Sequence, residues 1–358
     1  MNRNTSIYLD FLRVISALGV VICHANMSFF SIGLNLCNGE FGHKMVVVFF
    51  VLSGFLIAYT TEVKNKDLHG YIIDRISRLY PVIIPALLLT FIIDQIGYQF
   101  DPGYYGPYIH TASYYAKYFI TFFNLNEIWF SSAKPPTNAP FWSLAYEVWY
   151  YIIFAVWIYA VKWKRYILLA LIFLCIGYKI VLLFPIWLMG VALFKLSKHT
   201  VSTIFSVLLF VATSILIIGL VTENIHPVFP VVSRIGDPYF FYSYDFLNDI
   251  LLGAIVCLNI FAVNSFNRSL IDENNFLIVK IKWFSSVTFS VYLFHFPVMI
   301  LFGVLGFYNK ESVLEVLILV LGIVVFCCFL GYYTEQKRFV FKKILEEKYR
   351  KYLLKINQ

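Results

Sequence analysis

The sequence predicts an all-α integral membrane protein, a bundle of about ten transmembrane helices with both termini in the cytoplasm. Of its 358 residues, 60% are hydrophobic and 13% are charged, whereas a soluble domain carries about 25% charged residues. Apolar runs of the roughly 20 residues that cross a bilayer recur from one end of the chain to the other. Lysine and arginine are sorted between the segments joining those runs. With the N-terminus inside, 21 fall on the cytoplasmic side and 6 on the outer side. Basic loops stay in the cytoplasm, so the net charge of +8 reports topology and gives a nucleic-acid partner no support.

Taken in order, spans are expected near 7–29, 43–61, 79–99, 141–161, 166–181, 184–196, 203–222, 245–263, 283–306 and 313–333, the fifth and sixth being short. The first keeps charges mid-run and lacks a small-residue cleavage site, so it reads as an uncleaved span. Residues 1–336 then form one membrane domain. The tail, 337–358, reads as a basic amphipathic cytoplasmic helix with Phe341, Ile344, Leu345, Tyr349 and Tyr352 near helical spacing, a shape that suits anionic membrane lipid or, alternatively, a docking partner. Cys23, Cys37, Cys175, Cys257, Cys327 and Cys328 lie mostly in apolar runs without metal-ligand spacing, and no metal site is expected.

Within the first span, "YLDFLRVISALGVVICHA" carries Asp10, Arg13 and His24. Ionisable groups inside a membrane are costly and face the bundle interior or a wet cavity. Arg13 and His24 are eleven residues apart, so they share one helix stripe about 16 Å long, with Asp10 near it. The stripe implies one wet passage shared by the two, Arg13 toward the inner side and His24 toward the outer; the alternative is that Asp10 and Arg13 pair near the inner interface while His24 bonds a neighbouring helix. Glu147, in "FWSLAYEVWYY", is expected at the depth of His24, where a carboxylate could fix the imidazole tautomer. His295, in "FSVYLFHFPV", precedes Pro297, which leaves a carbonyl unpaired one turn earlier. His295 could satisfy that defect or join the polar path, with Tyr292 one turn away as support.

Two arginines stand three residues apart in "DRISRLYP" just before the third span: Arg75 and Arg78. Paired guanidiniums suit a phosphorylated ligand, and they also serve as positive-inside anchors. In "VVVFFVLSGFLIAY", Ser53 and Gly54 interrupt an apolar run. Small residues there let helices approach closely or make room for a thin acyl chain. The segment 100–140, rich in Tyr, Pro and Gly, reads as a long exterior loop whose tyrosines either form an interfacial belt or face a polar acceptor such as a sugar.

Taken together, these stretches resemble acyltransferase family 3, the membrane proteins that O-acylate sugars of bacterial surface glycans. The match runs through "YLDFLRVISALGVVICHA", "VVVFFVLSGFLIAY", "RISRLYP", "FWSLAYEVWYY" and "FSVYLFHFPV" in order, over nearly the whole chain. The resemblance implies a ten-helix transferase of the bacterial cytoplasmic membrane. Its donor would be cytoplasmic acyl-CoA, acetyl-CoA in particular, as co-substrate rather than bound cofactor. Its acceptor would be a saccharide or lipid-linked glycan. Arg13 and His24 would be the essential pair of the first helix, Arg75 and Arg78 the donor-binding pair, and Glu147 the fourth-span acid. The sequence departs from the family at Met45–Val48, where a Gly-Val-Asp-Leu run usually stands. Some relatives add a C-terminal hydrolase-like domain, which is not expected here.

The mechanism this implies makes His24 the general base on the acceptor hydroxyl and Glu147 its orienting partner. Arg13 would hold the donor or stabilise the developing oxyanion, Ser53 would line the donor site, and transfer would run either directly or through a covalent acyl-histidine. An alternative is a secondary transporter or flippase with Asp10, His24 and Glu147 as a proton relay. Transporters of that kind repeat their broken helices in two halves, and no such pairing is visible in the sequence.

Overall fold

The computed structural model describes residues 2–27, 39–65, 67–233, 237–266, 275–309 and 312–356. Cys37, Lys66, Arg234, Arg268 and Lys310, and residues 28 and 29 of the expected first span, lie outside the described residues, as do the side chains of Lys64, Tyr352 and Lys355. Among the described residues the fold is helical throughout: α1 (Arg3–Met27), α2 (Gly39–Lys64), α3 (Leu68–Phe100), α4 (Pro102–Ile109), α5 (Tyr114–Phe122), α6 (Phe141–Tyr159), α7 (Trp163–Ile176), α8 (Tyr178–Leu196), α9 (Thr203–Val221), α10 (Phe246–Asn264), α11 (Phe276–Ser285), α12 (Thr288–Leu305) and α13 (Val313–Ile356). Nine of these, α1, α2, α3, α6, α8, α9, α10, α12 and α13, are long and apolar enough to cross a membrane.

The expected span near 166–181 is α7, which has only 14 residues. At 1.5 Å per residue it reaches about 21 Å, short of a hydrocarbon core of about 30 Å. The break between α7 and α8 falls at Gly177, whose φ of 78° is in the left-handed region. A side chain there would also strike the Trp129 backbone, 2.8 Å from where its Cβ would stand. Glycine alone fits both demands, and the boundary sits several residues before the expected one.

A second difference concerns α3. Asp67 caps it by accepting the Gly70 N–H at 2.9 Å, so the helix starts at Leu68 and runs 33 residues, about 50 Å. Arg75 and Arg78 therefore stand inside this helix rather than before it. Pro81 and Pro85 follow within the same helix.

Side-chain bonds define the two ends of the bundle. At one end, Asn2 and Thr5 meet Asn264 at 2.7 and 3.1 Å, Asn264 bonds the Ser197 carbonyl at 2.8 Å, and Lys198 pairs with Glu62 at 2.6 Å. This end gathers the starts of α1 and α3 and the tails of α2, α8 and α10. At the other, Lys44 donates to the Leu220 carbonyl at 3.0 Å and lies 3.7 Å from Glu223, while His43 meets Asp249 at 2.8 Å.

Between these ends α2 and α8 lie backbone to backbone. A Cβ on Gly54 would stand 2.0 Å from the Trp187 carbonyl, and one on Gly190 would stand 2.1 Å from the Val51 carbonyl. The close-approach reading of Gly54 holds: the interface is built on two reciprocal glycines.

The segment 100–140 is more than an exterior loop. Asp101 caps α4 through the Tyr104 N–H at 2.9 Å. After α5 the chain turns down into the bundle. Tyr114 and Tyr118 donate to Asp94 of α3 at 2.9 and 2.7 Å, and Thr137 also donates to it. Glu127 is fully buried 3.5 Å from Lys179, and burial pushes its carboxyl up while Lys134 and Lys179 pull it back down. Tyr105 and Tyr114 are buried rather than displayed.

At the C-terminus α13 continues without a break at 336. Its tail docks on the start of α3, with Lys342 2.8 Å from Asp74 and Tyr349 stacked on His69, ring centroids 4.5 Å apart.

Candidate active site

From α1, Arg13 reaches toward the bundle interior with its guanidinium 3.8 Å from Asp10. Asp10 also accepts a 2.7 Å bond from Ser285, so the carboxylate is fixed one turn below the arginine. Arg13 lines a small cavity of about 80 Å³ with Ser53, Arg78, Ser143, Glu147 and Tyr292 among its walls. That volume holds about two or three waters. Arg13 and Arg78 repel one another across it, and among the described residues Arg78 has no ion-pair partner.

Glu147 is the cavity's one carboxylate, and it is already engaged. It accepts hydrogen bonds from the hydroxyls of Ser53 and Tyr151, and Trp187 Nε1 donates to Ser53 at 3.2 Å. Arg13 and Arg78 thus turn two guanidiniums toward the cavity, with Asp10 behind the first and Glu147 accepting both hydroxyls on one oxygen, and paired guanidinium donors of this kind suit an anionic ligand. Tyr292 closes the cavity through a 2.7 Å bond with Ser143. Its ring centroid lies 6.3 Å from that of His295, so Tyr292 separates the cavity from the histidines.

His24 is not among the residues lining that cavity. The single passage expected to join residues 13 and 24 is instead divided, and Glu147 does not orient His24. The reason is azimuth: Glu147 projects toward Ser53 and Trp187 on α2 and α8, and the partner that reaches His24 comes from α12. His24 Nδ1 stands 2.8 Å from His295 Nε2, the rings stacked with centroids 5.1 Å apart at 12°.

The far nitrogen of His295 sets the protons in this pair. His295 Nδ1 is 2.9 Å from the Val291 carbonyl, an acceptor only, so Nδ1 carries the hydrogen. In a neutral ring the other nitrogen is then an acceptor. His24 must donate from Nδ1, which leaves Nε2 of His24 with a free lone pair. His295 does not serve the defect at Pro297. The carbonyl orphaned by that proline belongs to Leu293, and Asn138 donates to it at 3.0 Å.

Residues 6–332 match the family model Acyl_transf_3, described as an acyltransferase domain. The chain belongs to acyltransferase family 3. No curated protein and no solved structure matches it.

As a membrane acyltransferase of family 3, the protein divides its expected site residues among three places. Arg13, Arg78, Ser53, Glu147 and Tyr292 share the cavity, with Asp10 behind Arg13. His24 and His295 form a separate pair beyond Tyr292. Arg75, although one turn from Arg78, faces a different groove, with its guanidinium over the rings of Tyr71 and Tyr151. The arginine pair is therefore split between two compartments.

Sequence reasoning missed three contributors. Asn138 reaches α12 from the re-entrant segment. Glu335 accepts the Ser290 N–H and hydroxyl at 3.1 and 3.0 Å and acts electrostatically on Arg13, Arg78 and Arg338. The signal in the sequence is the three-residue spacing of Glu335 and Arg338, which puts the two one helical turn apart. His43 and Asp249 form a buried pair between the rings of Trp142 and Tyr244, 5.6 and 5.4 Å away.

Proposed function

We propose that the protein transfers an acyl group, acetyl in the first instance, from acyl-CoA to a sugar hydroxyl of a cell-surface polysaccharide or glycolipid. The end of the bundle bearing Arg13 and Arg78 faces the cytoplasm in this reading, in a bacterial cytoplasmic membrane. The observation that carries it is the free Nε2 of His24, held as a base by the bond from Nδ1 to His295.

The donor's anionic part rests against Arg78 and Arg13, and its thioester arm extends along α1 toward the histidines. Arg13 and His24 lie about 16 Å apart along the axis, so Arg13 holds the donor and does not meet the oxyanion formed at His24. His24 Nε2 takes the proton of the acceptor hydroxyl as its oxygen attacks the thioester carbonyl. Collapse of the tetrahedral intermediate expels the CoA thiolate, and the proton on His24 neutralises it. The positive charge formed on His24 is shared through Nδ1 with His295. Entry of the donor requires Tyr292 to turn away from Ser143, because an 80 Å³ cavity cannot hold the acyl arm.

The test is transfer from labelled acetyl-CoA to surface glycan, followed by mass analysis. His24→Ala is expected to lower turnover by a factor on the order of 10²–10⁴. Turnover near the wild-type rate would remove His24 from the chemistry.

A further inference from the structure

On the opposite side of Tyr151 from the cavity, a groove of about 760 Å³ runs between the first half of α3 and the second half of α6. That is the volume of a site for a sizeable small molecule. Its walls are almost wholly apolar, and several of them, including Ile72 and Ile152, are exposed. Two cations stand in it, Arg75 and Lys164, and no carboxylate lines it.

Arg75 is the unusual wall. Its guanidinium carbon lies 5.6 Å from the Tyr71 ring centroid and 5.5 Å from that of Tyr151. Contact with these rings orients the group and leaves the N–H donors at its edge. Its Nε is buried with no hydrogen-bond partner. That atom is closed to the groove, and the donors an anion can reach there are those of the two terminal nitrogens. Depth points the same way. Arg75 is seven residues, about 10 Å, into a helix some 20 Å longer than the hydrocarbon core, which puts it at the level of lipid headgroups.

We infer that this groove binds a phosphate-bearing lipid, its phosphate on Arg75 and Lys164 and its hydrocarbon chain along the α3–α6 walls. The site is separate from the donor cavity, and its occupancy does not depend on the transfer chemistry proposed above. Tyr151 joins the two: its ring contacts Arg75 in the groove and its hydroxyl bonds Glu147 in the cavity.

Binding of radiolabelled hexadecyl phosphate to the purified full-length protein in a neutral maltoside detergent tests the inference. Binding should saturate, and Arg75→Gln should weaken it by about ten-fold or more, the worth of a hydrogen bond to a charged group. Arg75→Lys should recover most of that loss. Ala155→Trp, which fills the groove and leaves both cations, should abolish binding. Hexadecanol and inorganic phosphate should each compete at least ten-fold more weakly than unlabelled hexadecyl phosphate. Three results would overturn the inference: equal competition by hexadecanol, unchanged binding in folded Ala155→Trp, or a loss in Arg78→Gln matching that in Arg75→Gln. The last would place the anion in the cavity, as would displacement by coenzyme A at equal potency.

Discussion

His24 and His295 are 271 residues apart in the chain and 2.8 Å apart in the fold, and the chemistry of the first depends on the second. Removing the His295 ring leaves His24 Nδ1–H without an acceptor, and the hydrogen is free to move to Nε2. In His295→Ala, kcat should fall about 10- to 100-fold, the usual cost of losing an orienting partner, while KM for acyl-CoA stays near wild type. His295→Gln offers an amide oxygen to the same N–H and should recover most of the loss. A purely structural role would move KM and stability in both variants and show no rescue. Glu147→Gln gives the contrast. Its amide oxygen can still accept from Ser53 and Tyr151, so activity should stay within about ten-fold; a loss matching His24→Ala would return Glu147 to the chemistry. The sequence showed which residues were polar and at what depth. It could not give the direction each helix faces, and so it assigned Glu147 the contact that His295 makes.

At the scale of elements, long apolar helices were legible because bilayer thickness fixes their length. The exceptions have local causes. Gly177 ends α7 early because the chain needs a positive φ beside the Trp129 backbone. Segment 100–140 escaped reading because its polar residues satisfy partners in other helices: Thr137 donates to Asp94, and Asn138 to Thr90 and Leu293. Nothing in the local pattern distinguishes such a loop from one facing water. The contact between α2 and α8 is the element-scale feature most open to test. Gly54→Ala would set a methyl group 2.0 Å from the Trp187 carbonyl, and backbone cannot turn aside as a side chain does. The helices must separate, at a cost of about 1–3 kcal/mol or more. The shift would also draw Ser53 away from Glu147 and Trp187. Thermal unfolding in detergent should show a lowered midpoint for Gly54→Ala, with Gly322→Ala, where a methyl group meets nothing within 4 Å, close to wild type. Equal midpoints would mean that the two helices can part without loss.

Over the whole molecule, the arrangement is two-ended. The Arg13 end carries the cavity and the groove, the His24 end carries the histidine pair, and Tyr292 lies between them. Transfer from a cytoplasmic donor to an outer acceptor requires the Arg13 end to face inward, as the distribution of Lys and Arg in the sequence also predicts. Two exposed positions flanking α9 report on this. Thr200 precedes that helix beside Lys198, at the end where Lys198 pairs with Glu62. His226 follows it near Glu223, at the end where Lys44 meets Leu220. The 19 residues of α9 separate the two by about 28 Å. With the six native cysteines replaced, Thr200→Cys should react with a membrane-impermeant maleimide only in inside-out vesicles, and His226→Cys only in right-side-out ones. The reverse pattern would put the two arginines outside, away from any cytoplasmic acyl-CoA, and the proposed direction of transfer would fail. Labelling of both positions from one side would show that α9 does not cross, and the end where Lys198 pairs with Glu62 could then not face the opposite side from the end where Lys44 meets Leu220.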